Sequence, residues 1–418
     1  MSNEETLSFQ QPIKGLKVLE LSQIMAGPVC GLMLADMGAD VYKVEKIPNG
    51  DDARSYGKAS DAGIPPSFVM LNRGKRSIGI DIKSDAGKAV LLRMAAQSDV
   101  ITENFRPGVI DRLGLGYEAL RQLNPALIYC SITGYGRKGP LASKGGFDLI
   151  LQAFSGLISV TGEEDGAPVK PGVSIADVNA GILAAVGILA AYVHRLRTGR
   201  GQRVDTSLLQ ASLQQMYWYA AAYFSRGVIA KPSGTAHPLI SPYQVYRCRD
   251  GRIAIGGANE ANWERIAETL GHPEWKADPR FATPDARLAN RRALETLIND
   301  VLSTDNVKSW LRRFDEASVP AGPVQNVAQA LEHEQSQAIG MVVDVEAPNG
   351  GTTRSLGLPI HFNGATQIAS RAAPRVGQDS TDILRRFGFS DGEIDDLLAS
   401  GAVLQAGASL DTAAATQG

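Results

Sequence analysis

Leu16-Lys-Val-Leu-Glu-Leu21, Gly27-Pro28 and Gly38-Ala-Asp-Val-Tyr-Lys-Val-Glu45 decide the fold. The first run is short and mostly apolar, as a strand covered on both faces reads. Proline near a first turn and glycine past the end bracket a helix from Gly27 through Met37. Asp40–Glu45 is then a second strand. The pattern repeats: a strand over Ser77–Ile82, a helix over Asp85–Ala96, a strand over Asp99–Glu103, a short helix over Gly116–Leu123 and a strand over Leu127–Ile132. Strands alternating with helices predict an α/β fold, a Rossmann-like parallel sheet with helices on both faces.

Farther along, Lys170-Pro-Gly-Val-Ser-Ile-Ala-Asp177 leads into an apolar stretch, Val178 to Val193, that reads as a buried core helix closed by His194, Arg195 and Arg197. Its most apolar part, Gly181 to Val193, is too short to span a bilayer. A strand over Gly201–Ser207 and a helix over Leu208–Phe224 follow. Gly and Pro then punctuate Ser225 to Pro242. Tyr243–Arg247 and Arg252–Ile255 read as a hairpin around Asp250-Gly251, with helices at Glu260–Leu270, Ala286–Leu302 and Asn306–Ala317. The expected domains are therefore 1–224 (large), 225–323 (linker and small α+β domain), 324–400 (return to the large domain) and a flexible tail over 401–418.

The net charge of −2 argues against nucleic acid or an anionic membrane as partner. Cys30, Cys130 and Cys248 are scattered without metal-ligand spacing, so no metal site is expected. Unpaired cysteines fit a reducing, cytoplasmic setting. Met1–Gln11 is polar, with Glu4 and Glu5 where a signal peptide carries positive charge.

The loop after the first strand, Ala26-Gly27-Pro28-Val29-Cys30-Gly31, lacks GxGxxG, so Glu45 as a ribose-binding acid stands without its fingerprint. No P-loop, GxSxG or HExxH is present. Basic residues gather on candidate loops: Lys43, Lys46, Arg54, Arg73, Lys75, Arg76, Lys83, Arg106 and Arg112. Each alone reads as solvated surface. As a group following strand after strand they favour a phosphorylated ligand. Asp177 carries two readings: an ordinary N-cap, or a carboxylate that the helix start keeps ionised and available as a nucleophile.

Further stretches bring a resemblance: Leu16 through Pro28, Gly38 through Glu45, Asn72-Arg-Gly-Lys-Arg-Ser-Ile, Glu103-Asn-Phe-Arg-Pro-Gly108, Ser131-Ile-Thr-Gly-Tyr-Gly136 and Thr198-Gly-Arg-Gly-Gln202. Together, from about Ile13 to Arg386, they resemble family III CoA-transferases (CaiB/BaiF family), most of all members acting on dicarboxylic acids. The resemblance implies an interlocked homodimer that uses coenzyme A and acyl-CoA as substrates and has no permanently bound cofactor. It implies Asp177 as nucleophile. CoA contacts are implied at Met25, Ala26, Lys46, along Ile80, Asp81, Ile82 and Lys83, at Asn104, Phe105 and Arg106, and at Arg112. Asp148 matches an acidic position that shapes the site, and Gly256-Gly257-Ala258-Asn259-Glu260 corresponds to a glycine-rich loop. The family also includes 2-methylacyl-CoA racemases, which set a histidine just before that acid. Here Phe147 stands there and cannot exchange a proton. His237, in the linker, reads as a structural histidine. A non-catalytic subunit of a heteromeric transferase is the other alternative, against which the presence of Asp177 speaks. Succinyl-CoA is the donor the resemblance suggests, with oxalate or formyl-type and aromatic-succinate-type substrates open.

Overall fold

The computed structural model describes residues 11–57, 63–366 and 368–407. It comprises two compact units. The larger runs to Leu157, resumes over Pro171–Trp218 and again from Glu334; the smaller holds Ile158–Lys170 and Tyr219–His333.

In the larger unit, β1 (Lys17–Glu20), β2 (Asp40–Glu45), β3 (Arg76–Ile80), β4 (Val100–Glu103), β5 (Ile128–Thr133) and β6 (Arg203–Ser207) form a parallel sheet in the order 3-2-1-4-5-6. Strand residues alternate between two cores. Val18, Val41, Val100 and Ile128 face one, while Leu19, Tyr42, Ile101 and Tyr129 face the other. The first core is closed by α1 (Ala26–Asp36) and a 24-residue helix, Ile175–Thr198. The second is closed by helices at Asp85–Ala96, Tyr117–Leu123, Ser380–Arg386 and Asp391–Ala399. Both faces are covered, which is why the strands read as apolar runs and not as alternating ones.

Gly38, at φ +103°, ends α1. The long helix presents a stripe of small residues, Ala176, Ala180, Gly181, Ala184 and Ala191, all buried. A Cβ on Gly181 would lie 2.5 Å from Ala26 O, so α1 and this helix touch almost backbone to backbone. The expectation of a stretch too short for a bilayer is corrected. The helix is long and apolar enough by length and composition, because it begins at Ile175 and continues to Thr198, beyond the run that was counted. Its inner face belongs to the core.

Other expectations shift too. The helix over Leu208–Phe224 is two, α2 (Leu208–Gln214) and a second at Tyr217–Arg226. The longer segment of the smaller unit runs Tyr219–His333, beside an expected 225–323. Ala321–Pro323 still adds a third strand to the antiparallel hairpin of Tyr243–Arg247 and Arg252–Gly256. Ile158–Lys170 joins the same unit: Gly234 N donates to Gly162 O at 2.9 Å, and Arg291 pairs with Glu164 at 2.9 Å. Those contacts are too distant in sequence for a linear reading. Helices at Glu260–Thr269, Arg291–Leu302 and Val307–Glu316 close that unit's core around Trp263, Phe281, Trp310 and Phe314. The flexible tail expected over 401–418 is corrected at its start, since Val403–Leu404 pairs antiparallel with β3; residues 408–418 lie outside the described residues.

Candidate active site

The strand order reverses between β1 and β4, and open parallel sheets bind ligands at such a switch point, beyond the strands' C-terminal ends. A cleft of about 520 Å³ lies there, between the loop after β1 and the loop after β4. Met25, Ala26, Asn104, Phe105, Arg106, Phe147 and Asp177 all line it. Residues from four separate stretches of sequence thus meet in one place. Arg106 is the only cationic side chain among the lining residues.

Asp177 stands in the first turn of Ile175–Thr198, whose N-cap position is Ser174. It is therefore not the cap. Asp148 fills that role across space: its Oδ1 accepts from Ala176 N at 3.0 Å and from Asp177 N at 3.4 Å. Gln152, one turn on, donates from Nε2 to Asp148 Oδ2 at 2.6 Å and to Val173 O at 3.3 Å. The sequence reading missed Gln152, although the Asp148–Gln152 spacing of four on a helix was a usable signal.

The arrangement corrects the expectation that the helix start keeps Asp177 ionised. Burial, then the negative charge of Asp148, raises its pKa from 3.8 to about 7. The helix N–H groups that would have favoured the anion are bonded to Asp148.

Basic residues expected to meet phosphates divide sharply. Lys43 and Lys75 are fully buried, and both pair with Glu20. Lys43 also pairs with Asp51 at 2.8 Å. Arg73 is buried against Asp36. Arg54 holds Glu45 at 2.6 Å, and Ser77 Oγ and Asp51 N donate to the same carboxylate, so Glu45 is a structural acid and not a ribose ligand. Lys83, Arg106 and Arg112 are exposed; Lys46 is exposed and paired with Asp52.

The CoA contacts implied at Lys46, Asp81, Ile82, Lys83 and Arg112 lie beyond the cleft's lining, at or after the C-terminal ends of β2, β3 and β4. The Ile80 side chain is buried in the sheet's second core, so it offers no surface to a ligand. Asn104 is largely committed within the protein: its Oδ1 accepts from Gln23 N and its Nδ2 donates to Gln23 O, both at 2.9 Å. That clamp ties the two loops of the cleft together.

Gly256 and Gly257 belong to the smaller unit. Gly256 ends the second hairpin strand, and the N–H groups of Gly256 and Gly257 donate to Pro320 O at 2.9 Å and Pro242 O at 2.8 Å, so both donors are already used. His237 accepts from Leu239 N through Nδ1 and packs edge-on against Tyr243, as a structural histidine does. No His/Cys/Asp/Glu cluster with metal-binding geometry occurs among the described residues.

Comparison with known proteins agrees with this geometry. The family model for CoA-transferase family III matches residues 13–380. Succinate--glutarate CoA-transferase of Agrobacterium fabrum is 38% identical over 89% of this chain and 95% of its own length. Succinyl-CoA:glutarate CoA-transferase of Homo sapiens is 34% identical over 94% of this chain and 90% of its own. A CaiB/BaiF family protein from Brucella suis, 38% identical, superposes with a TM-score of 0.80 over 90% of this chain and 100% of that one. The match over nearly the whole chain fits a cleft at the β1/β4 switch point that Asp177 lines together with Asp52: the chain belongs to CoA-transferase family III.

Proposed function

We propose that this protein moves CoA from succinyl-CoA to a dicarboxylic acid of the glutarate type, with Asp177 as the covalent carrier. The observation that carries the reading is Asp177 itself, a carboxylate free of its helix's N–H groups, in the wall of the switch-point cleft. Two relatives whose names specify succinate or succinyl-CoA and glutarate support the substrates.

The Asp177 carboxylate attacks the thioester carbonyl, giving an aspartyl–acyl anhydride and CoA thiolate. The thiolate attacks the aspartyl carbonyl, forming aspartyl-CoA and releasing the donor acid as carboxylate. The acceptor carboxylate then attacks aspartyl-CoA, restoring an anhydride and the thiolate. Attack of the thiolate on the acceptor acyl carbon yields the new CoA ester and frees Asp177. No proton is gained or lost, and each step exchanges bonds of similar energy. The N–H groups of Ala176 and Asp177, at the start of Ile175–Thr198, are already bonded to Asp148, so they are not free to stabilise an oxyanion. The start of α1 serves the oxyanions: Met25 and Ala26 line the cleft, and that helix has no side-chain cap. Phe147, 65% exposed at the rim, excludes water without offering a base.

The reading extends to an interlocked homodimer in the cytoplasm, with CoA as substrate and no resident cofactor. Exposed Ile150, Phe154, Val193 and Leu196 are surface such a partner copy would cover.

The test is covalent trapping. Incubation with succinyl-CoA and then hydroxylamine should convert Asp177 to its hydroxamate, located by peptide mass spectrometry. Asp177→Ala should lower transfer by at least ~10³-fold with the fold retained. Labelling elsewhere, or substantial turnover by the variant, would sink the assignment.

A further inference from the structure

Ile24 lines the cleft beside Met25 and Ala26, and its φ is +68°. Left-handed backbone suits glycine; a β-branched side chain there is an outlier. Of the four non-glycine residues with positive φ among those described, Ile24 is the one in the cleft. Such a conformation persists where the surroundings over-determine it. Here Asp51 accepts from Ile24 N through both carboxylate oxygens, at 2.9 and 3.2 Å. The neighbouring backbone is held as tightly. Asn104 engages both polar groups of Gln23, Lys43 Nζ donates to Ser22 O at 3.1 Å, and Lys75 Nζ donates to Pro28 O at 3.0 Å.

Asp51 is fixed in turn by Lys43 at 2.8 Å and by Ala53 N at 2.9 Å, and Lys43 shares Glu20 with Lys75. Glu20, Lys43, Asp51 and Lys75 are all buried. Four buried charges are a poor source of stability compared with apolar packing. What this frame supplies is position: apart from the Ala53 N–H next to Asp51, the backbone groups it holds lie between Ser22 and Pro28.

We propose that Asp51 is a positioning residue for the transfer reaction. It holds Ile24 in the left-handed conformation and thereby sets the start of α1, with Met25 and Ala26, against the helix that carries Asp177. Gly181, one turn beyond Asp177, is where that helix meets Ala26. Asp51 itself is buried and does not line the cleft. The inference rests on the CoA-transfer reading above.

The experiment is a double-mutant cycle read as kcat and KM for succinyl-CoA:glutarate exchange. A residue with a Cβ is disfavoured in the left-handed region by roughly 5- to 30-fold in population. Asp51→Ala should therefore lower kcat on the order of tenfold, with the larger share of the loss in kcat and not in KM. Asp51→Asn, which keeps an acceptor oxygen, should recover most of it. Glycine adopts this φ without penalty, so in the Ile24→Gly background Asp51→Ala should cost less than about threefold. Equal losses in both backgrounds would overturn the proposal and reduce Asp51 to a salt-bridge partner. Should Asp51→Ala not fold, Asp51→Ser, too short to reach Ile24 N, takes its place in the same cycle. Native protein with no exchange activity would instead strike the CoA-transfer reading, before any variant is compared.

Discussion

Asp148→Asn isolates the electrostatics of the nucleophile. The variant keeps an oxygen to accept from Ala176 N but removes the charge that helps lift Asp177 to about 7. Two neighbouring carboxylates at an effective dielectric of about 20 repel by at most a few kcal/mol. Screening in a half-buried site brings that to ~1–1.5 kcal/mol, or about one pKa unit. Burial, the larger cause, is untouched. Asp177 should then titrate near pH ~6. The attacking form is the carboxylate, so kcat/KM rises with pH through the Asp177 pKa. The acid limb of the profile should have its midpoint near 7 in the native enzyme and about one unit lower in the variant.

The assay is kcat/KM for succinyl-CoA at constant ionic strength, from about pH 5 to 9. One other group could imitate the limb. Glu103 ends β4, its carboxylate accepts from Phe105 N at 3.0 Å, and burial pushes it up to about 7 as well. The charges placed on Glu103 are those of Asp111, Arg203 and Arg137, the last at 3.8 Å; Asp148 is not among them. A limb that stays near 7 in Asp148→Asn would thus assign it to a group such as Glu103 and refute the reasoning. The new amide has a place to donate. Gln152 Oε1 is buried with no partner among the described residues, and turning the Gln152 amide presents it, at the cost of the 3.3 Å bond to Val173.

Because the folded state raises the Asp177 pKa, its contribution to stability is complete below about pH 4 and is lost as pH rises through about 7. Asp177→Asn should therefore match the native protein in urea unfolding near pH ~4 and exceed it by ~1–2 kcal/mol near pH ~8, under a ceiling of ~4 set by the full shift. Gly181→Ala forces a Cβ to 2.5 Å from Ala26 O and 2.8 Å from Val29. It should cost ~1–3 kcal/mol in the same assay and reduce turnover, since α1 must move away; an unchanged midpoint would contradict the close packing.

Periodicity carried the sheet because parallel strands buried on both faces leave a local mark, and β1 to β6 follow it. Charge had no such mark. Lys43 and Lys75 read as loop cations, yet Glu20 lies opposite Lys43 in the register of β1 and β2, so the pair closes inside the sheet. Only strand order reveals that, and strand order is not a local property. The site divides the same way. Motif by motif, the resemblance pointed to Met25, Asn104, Phe147 and Asp177, which meet in one cleft. The bonds that set their surroundings, Asp148 to Ala176 and Asp51 to Ile24, join residues 28 and 27 positions apart, in segments whose approach depends on the whole fold.

On the mechanism proposed above, that division bears on how Asp177 reacts. A carboxylate capping its own helix would have its oxygens occupied by N–H groups and its basicity lowered. Asp148 takes those donors instead. Asp177 is left half-buried and about three units more basic than a free aspartate. At neutral pH the ionised fraction falls only about twofold, whereas the anion that remains is a stronger nucleophile toward a thioester carbonyl. The pair of acids thus works by unequal division: one is spent on the helix so that the other is not.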